Sequence, residues 1–287
     1  MEPMLNIDIE KCIRCGRCVK ICPSMILGQE KAGGEIQVLA PENCIRCGHC
    51  VAVCPTGAVV HADFPPEKVH VFDYKDYPTA EQMMLLCRAR RSNRAFAEKP
   101  VPEVLLSQIV EAAYRAPTAS NAQGIGFTMV TDPAKLRLIT EFTLGIFGKA
   151  LKKMQHPLLR PLVKWTMPDA LRYEPVFERL LRKDAQGHDM ILRNAKAVLL
   201  IHTPQTSRFG CQDANLAYQN GSLMAECLGV SQFYTGFVCS AIQQDGKRHL
   251  EKMLGIEGRI HAGMALGMPA FRYVSYIDRL GLRENTL

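Results

Sequence analysis

No apolar run in this 287-residue chain approaches the ~18 residues that a bilayer-crossing helix needs, which excludes a membrane span. The start, MEPMLNIDIEKC, turns polar almost at once, so no charged-then-apolar secretory segment is expected. Neither a GxGxxG nor a Walker A run is present, which argues against a nicotinamide-binding Rossmann site. Nothing pairs aromatic with basic residues in a nucleic-acid-binding motif. What remains has the 47% apolar and 22% charged content of an ordinary soluble globular protein.

Cysteine, by contrast, is plentiful and patterned. Of 12 cysteines, eight fall in two runs of one spacing: Cys12-x2-Cys15-x2-Cys18-x3-Cys22-Pro23 and Cys44-x2-Cys47-x2-Cys50-x3-Cys54-Pro55. Each position of the first recurs 32 residues later. This spacing wraps a [4Fe–4S] cube, three close thiolates holding one cluster and the fourth reaching its neighbour. Chain order then assigns Cys12, Cys15, Cys18 and Cys54 to one cluster, and Cys44, Cys47, Cys50 and Cys22 to the other. A disulfide framework suits small secreted domains, whereas this chain is long enough to bury a core unaided. Structural zinc takes two CxxC pairs or cysteine with histidine, not three cysteines in seven residues followed by Cys-Pro. Cys87, Cys211, Cys227 and Cys239 lie outside the runs, and Cys227, in the apolar stretch SLMAECLGV, reads as a small buried hydrophobe.

The repeat divides the chain. Residues 1–62 form a small ferredoxin-like unit, 63–79 a linker whose run Asp63–Pro78 is rich in proline and polar residues, and 80–287 a larger unit. The first 62 residues carry six Lys/Arg and six Asp/Glu, so the net charge of +7 lies downstream. Much of it falls between Gly145 and Lys183, where nine Lys/Arg face Asp169, Glu174 and Glu178. Such a face reads as a solvated helical cap with attraction for anions.

The larger unit reads as α+β, a sheet wrapped in helices. Helices are expected over Pro78 to about Arg90, over Pro102–Ala116, after the Asp132-Pro133 cap, in pieces between the prolines of 145–190, and from about Asp213 to Leu228, stopped by Gly229. Strands are expected at Phe127–Thr131, Ala197–His202, Phe233–Val238 and Ile260–Leu266.

Arg88-Ala-Arg90-Arg91-Ser92-Asn93-Arg94-Ala-Phe96 places four arginines and a serine within seven residues, and guanidinium forks suit phosphate. Ala116-Pro117-Thr118-Ala119-Ser120-Asn121-Ala122-Gln123 offers hydroxyls and amides in a turn, suited to a polyhydroxylated ligand. Together, in this order, the two segments resemble those of the FMN-dependent nitroreductase family. Leu228-Gly229-Val230…Tyr234-Thr235-Gly236 is similar to that family's GLG…WxG stretch, and Leu266-Gly267-Met268-Pro269 with Phe271-Arg272-Tyr273 and Arg279 to its late loop and basic tail. The resemblance covers residues 80–287 and departs after the asparagine turn, where Gln123-Gly124-Ile125-Gly126 replaces Gln-Pro-Trp, and near the end, where Tyr276-Ile277-Asp278-Arg279 replaces a proline-rich run.

The resemblance implies an α+β homodimer with FMN in the subunit interface and a variable cap over residues 145–190. Arg90, Ser92, Arg94 and Arg279, with Arg91 and Arg272, would meet the phosphate and ribityl chain. Thr118, Ser120, Asn121 and Gln123 would contact the ribityl chain or ring, and the backbone at Thr235 and Gly236 the ring nitrogens. No acid or base side chain is nominated, because the cofactor carries the chemistry. The expected activity is transfer of electrons between two [4Fe–4S] clusters and FMN to a small organic acceptor such as a nitroaromatic or quinone. A redox partner, a ferredoxin or NAD(P)H, is expected as the electron source. NAD(P)H oxidation with outward flow through the clusters, or a non-catalytic electron-transfer or redox-sensing subunit, are the alternatives. Exposed-type clusters in a chain without a signal segment lead to the expectation of a reducing cytoplasm.

Overall fold

The computed structural model describes residues 4–281 and residue 284. The chain forms two compact units: Met1–Pro78 with Ala119–Ala122, and Thr79–Thr118 with Gln123–Leu287.

The first unit repeats one small motif. Strand β1 (Leu5–Ile7) leads through the first cysteine run to helix α1 (Arg17–Ile21) and strand β2 (Leu27–Gly28). Strand β3 (Gln37–Val38), helix α2 (His49–Ala52) and strand β4 (Val59–His61) follow. β1 pairs antiparallel with β4, and β2 with β3. Leu5, Ile7, Ile26, Leu27 and Val59 make a core with Cys18 and Cys50. Few large side chains are buried here, which suits a module whose interior is completed by thiolate-held inorganic bodies. The proline-rich stretch beyond β4 forms short 3₁₀ turns at Pro66–Lys68 and Tyr74–Asp76.

The second unit opens with helix α3 (Ala80–Ala89), started by a reciprocal cap in which Gln82 N–H donates to Thr79 Oγ1 and Thr79 N–H to Gln82 Oε1. Helix α4 (Glu103–Tyr114) and strand β5 (Gly126–Val130) come next. Asp132 caps helix α5 (Pro133–Gln155), accepting from Ala134 N–H at 2.8 Å. Its buried residues recur at helical spacing: Leu136, Ile139, Thr140, Thr143, Leu144, Phe147, Leu151 and Met154. The prolines of the basic stretch stand at helix starts, Pro161 within helix α6 (Arg160–Thr166) and Pro175 within helix α7 (Glu174–Ala185), where a missing N–H costs nothing. Strand β6 (Ala197–Thr203), helix α8 (Gly210–Cys227), strand β7 (Ser231–Tyr234), helix α9 (Gly236–Gln244), helix α10 (His249–Leu254) and strand β8 (Arg259–Gly267) complete the unit.

The larger sheet is antiparallel in the order β5-β6-β8-β7. Central β6 is covered on both faces. Val198 and Leu200 enter one core with residues of α5, α7, α9 and α10, while Ala197, Leu199 and Ile201 enter another with residues of α4 and α8. Helices α4 and α8 pack closely, because a Cβ on Gly221 would sit 3.3 Å from the Ala113 methyl. This is an α+β sheet wrapped in helices. Among the described residues, no helix is long and apolar enough to cross a membrane.

Two expectations need correction. Phe233–Val238 is not one strand: β7 ends at Tyr234, and Gly236 begins α9, which buries Val238, Ala241 and Ile242. The apolar run reads equally well in either period, and packing against α5 decides it. Cys227 is exposed. The buried stripe of α8 runs through Ala214, Ala217, Tyr218, Gly221, Ser222 and Ala225, and a residue two beyond Ala225 lies some 200° around the helix.

Candidate functional site

Each cysteine loop bends through left-handed residues at matching places. Arg14 (φ 56°), Gly16 (φ 70°) and Met25 (φ 51°) recur as Arg46 (φ 53°), Gly48 (φ 71°) and Gly57 (φ 65°). Such turns aim successive N–H groups into the loop, forming an anion-binding concavity. Backbone N–H groups do reach sulfur: Arg46 to Cys44 Sγ at 3.4 Å and Ala58 to Cys54 Sγ at 3.2 Å. Burial would raise the Cys54 thiol, but donors from Thr56 (backbone and hydroxyl), Val59 and Ala58 hold it below its ordinary value.

The thiols gather across the repeat. Cys12, Cys15 and Cys18 line one cavity together with Cys54 of the second run. Burial pushes the Cys50 thiol up to about 11 against the Val51 N–H, and Cys47, Cys22 and Cys44 push it the same way, so Cys22 of the first run stands with the second set. Among the described residues, no three His, Cys, Asp or Glu side chains are grouped to hold a single ion. The first set instead surrounds a small cavity, which fits a polynuclear cluster with the fourth ligand exchanged between runs.

His61 adds a donor that spacing does not announce. It is 2% exposed and packs on Phe64, ring centroids 4.9 Å apart. Its Nδ1 accepts from Asp63 N–H at 3.1 Å, so the proton belongs on Nε2, which points at Cys44 Sγ from 3.6 Å. Burial holds the imidazole below its ordinary pKa, favouring the neutral form. At the equivalent place 32 residues earlier stands Gln29, whose amide donates to the carbonyls of Arg14 and Gly34. Comparing the two halves of the repeat would have exposed this difference.

In the second unit, the arginines adjacent in sequence separate in space. Arg90, Arg91 and Arg279 line a cavity of about 780 Å³ with Arg88 and Gln219. Arg91 is committed there, donating to the carbonyls of Arg88 (2.7 Å), Arg90 (3.2 Å) and Ile277 (3.0 Å). It thereby ties the tail that carries Arg279. Arg94 instead lines a second cavity of about 730 Å³ with Gly236, its guanidinium carbon 5.4 Å from the centre of the Phe233 ring. Tyr218 lies within electrostatic reach of both Arg90 and Arg94, and burial pushes its hydroxyl up to about 12.

Asn93, between Ser92 and Arg94, fixes this split. It is buried, accepts from Ala95 N–H and donates to the Phe271 carbonyl at 3.0 Å. Ala97 N–H donates to Met268 O and Ala270 N–H to Ala95 O. The late loop is thus laced to the arginine run, and Gly267 has no room for a Cβ beside Phe96. The Ser92 carbonyl accepts from Arg94 at 3.2 Å. Arg272 lies in a third, smaller cavity with Gly229 and Glu226; burial raises the Glu226 carboxyl, while Arg90 and Arg272 pull it back.

Thr235 is buried, its N–H donating to Gly263 O at 2.9 Å. In the asparagine turn, Ser120 (φ 51°), Asn121 (φ 53°) and Gln123 (φ 48°) are left-handed. Thr118 Oγ1 accepts from Gln123 N–H at 3.0 Å. Ser120 and Asn121 belong to the first unit, where the Asn121 amide donates to the carbonyls of Ile45 (3.0 Å) and Arg46 (2.9 Å).

Residues 87–268 match the nitroreductase family model, and residues 4–55 match a 4Fe–4S dicluster domain. The chain belongs to the nitroreductase family and carries this iron–sulfur domain ahead of it. Among solved structures it is similar to an FMN-bound nitroreductase of Bacteroides fragilis NCTC 9343 (20% identical, 72% of this chain and 97% of that chain covered, TM-score 0.50). It is also similar to an FMN-bound nitroreductase of Desulfitobacterium hafniense DCB-2 (16%, 70% and 97%, TM-score 0.53). A third is oxidised iodotyrosine deiodinase bound to FMN and 3-iodo-L-tyrosine (19%, 71% and 100%, TM-score 0.50). At these identities the likeness is one of fold. A curated relative, a NADH dehydrogenase of Thermus thermophilus, is 48% identical over 56 residues, 20% of this chain, and the chain spans 27% of that protein's length.

Proposed function

We propose that the protein is an iron–sulfur flavoprotein oxidoreductase that holds two [4Fe–4S] clusters and FMN and reduces a conjugated organic acceptor. The carrying observation is the pairing, in one chain, of eight thiols sorted into two crossed sets with a cavity where Arg90 and Arg279 have no ion pair among the described residues. Guanidinium groups that make no ion pair, one half-buried (Arg90) and one exposed (Arg279), suit a phosphate, although Glu226 lies within electrostatic reach of Arg90 and Asp278 lines the same cavity. The second cavity, walled by aromatic side chains and by Gly236 at the start of α9, suits a flat ring. Bound FMN would supply the exchange between one-electron and two-electron transfer.

The side chains then have separate tasks. Arg90 and Arg279 bind phosphate; Ser92, Thr118 and Gln123 stand as candidates for the ribityl chain; Arg94 and the backbone of Thr235 and Gly236 orient the ring. Each turnover takes two electrons from a low-potential one-electron donor and two protons from water and adds them to the acceptor, a quinone becoming a hydroquinone. Exposed Met83, Met84 and Leu85 on α3 and Phe271, Tyr273, Val274 and Ile277 in the tail support assembly as a homodimer.

Anaerobic purification followed by iron, sulfide and flavin quantitation should give about eight irons and one FMN per chain. In stopped-flow mixing with a reduced ferredoxin, Cys-to-Ser changes at both clusters should slow flavin reduction sharply. Undiminished flavin reduction in those variants sinks the reading. Rapid flavin bleaching by NADH or NADPH would assign the input to a hydride donor instead.

A further inference from the structure

The 730 Å³ cavity beside Arg94 is more than an apolar slot. Phe147 and Phe177 stack in its wall with centroids 4.4 Å apart and planes 12° from parallel. Phe237 meets Phe147 edge-on at 5.9 Å, and Tyr173 stacks on Phe177 at 6.1 Å. Such walls take planar conjugated ligands. Into the same space comes Arg193.

Arg193 is placed there by a strained turn. Arg193 (φ 58°) and Asn194 (φ 57°) are both left-handed, a conformation that side-chain-bearing residues adopt at a cost. The Asp189 carboxylate holds the turn, Oδ1 accepting from the N–H groups of Ile191 and Leu192 at 2.9 Å and Oδ2 from that of Asn194 at 3.1 Å. Asp189 is thereby spent on backbone. Among the described residues, Arg193 has no ion pair and no hydrogen-bonded partner. Its surroundings are unfavourable to its charge: burial first, then the like charges of Arg94 and Arg179, with Asp189 alone opposing. Asp169, the acid in the cavity lining, is exposed. A half-buried guanidinium whose only nearby carboxylate, Asp189, is taken up by three backbone N–H groups is costly to keep. The cost is recovered when a ligand brings the missing anion, which a guanidinium fork grips bidentately.

We propose that this cavity selects a planar conjugated acceptor bearing a carboxylate, with Arg193 as the residue that recognises the carboxylate while Tyr173 and Phe237, backed by the stacked and buried Phe147 and Phe177, hold the ring. The proposal rests on the reading above that the flavin ring lies in this cavity and that the protein reduces a conjugated acceptor, which would then stack against that ring. Nothing in the cysteine spacing or the arginine run points to Arg193.

The test uses the full chain purified with its cofactors and two probes of one shape, 4-nitrobenzoate and its neutral methyl ester. Binding is measured by titration calorimetry, which does not depend on a flavin signal, and the flavin absorbance is followed in parallel. The wild-type protein should bind the carboxylate roughly ten- to hundredfold tighter than the ester, the range of one charge-assisted hydrogen-bonded pair. Arg193→Gln should abolish that preference while retaining ester binding and flavin content, and Arg193→Lys should restore part of it. A preference that survives Arg193→Gln, or a wild-type protein that does not discriminate, overturns the proposal. Loss of flavin in Arg193→Gln also overturns it, since the arginine would then serve the cofactor. Protein that lacks flavin yet shows the Arg193-dependent preference keeps the anion site and sinks the flavin reading instead.

Discussion

With two [4Fe–4S] clusters held as proposed, replacing His61 with leucine should make one cluster harder to reduce and leave the other alone. Asp63 N–H occupies Nδ1, so the single proton of the buried, neutral imidazole sits on Nε2 and faces Cys44 Sγ at 3.6 Å. A donor to a ligand sulfur stabilises the reduced, more negative cluster more than the oxidised one. A net hydrogen bond is worth ~0.5–1.5 kcal/mol, and for one electron 1.4 kcal/mol corresponds to about 59 mV. The potential of the cluster proposed for Cys44, Cys47, Cys50 and Cys22 should therefore fall by roughly 20–60 mV. Leucine fills similar apolar space against Phe64 without donating. An anaerobic redox titration of the full chain, followed by electron paramagnetic resonance, reads both clusters at once. The cluster of Cys12, Cys15, Cys18 and Cys54 is the internal control, because Gln29 replaces His61 in its half of the repeat. Two unchanged potentials, or an equal shift in both, would refute the reasoning.

The remaining predictions concern the second unit. Phe147, fully buried and in contact with Phe177 and Phe237, should cost ~3–5 kcal/mol on change to alanine. At about 2–4 °C per kcal/mol for a unit of this size, calorimetry should show Tm falling by more than 5 °C, and a smaller fall would mean that the wall relaxes. Gly263→Ala places a Cβ against Thr235 Oγ1, shifting the start of α9. It should lower flavin content and destabilise by ~1–3 kcal/mol, whereas full flavin retention would separate Thr235 and Gly236 from the ring. Asp245 is pushed up by burial but held below the usual carboxylate range by the His249 N–H and imidazole and the Lys247 N–H. Its stabilisation is complete above the unfolded value of ~3.9 and is lost as pH falls through the lower folded value. Asp245→Ala should cost ~1–3 kcal/mol at neutral pH and flatten the acid limb of Tm against pH; an unaltered limb contradicts the assignment.

Much of the second unit was legible because its signals are local. The Asp132-Pro133 cap and the apolar run at Ala197 each act within a turn or strand of their own residues. The failures share a cause. FYTGFVCSAI reads as strand or helix with equal ease, and the choice was made by α5, more than eighty residues away in sequence. Cys227 was misread for a different reason: the stripe through Ala214, Ala217, Tyr218, Gly221 and Ala225 already excludes it, so period rather than neighbourhood apolarity was the better guide.

The dicluster domain was legible in the chain alone, since three thiolates within seven residues are confined by backbone reach to one corner, and a 32-residue repeat doubles the signal; the individual ligand sets remain a proposal. The arginine run could not be apportioned in that way. Arg90, Arg91 and Arg94 lie within five residues, yet one lines the cavity shared with Arg279, one is consumed by the Ile277 carbonyl, and one turns to the aromatic cavity. Long side chains on an extended segment can point to any of these places. Asn93, the lacing to residues 268–270 and the Asp189 turn that presents Arg193 select among them, and those contacts exist only once distant segments have packed.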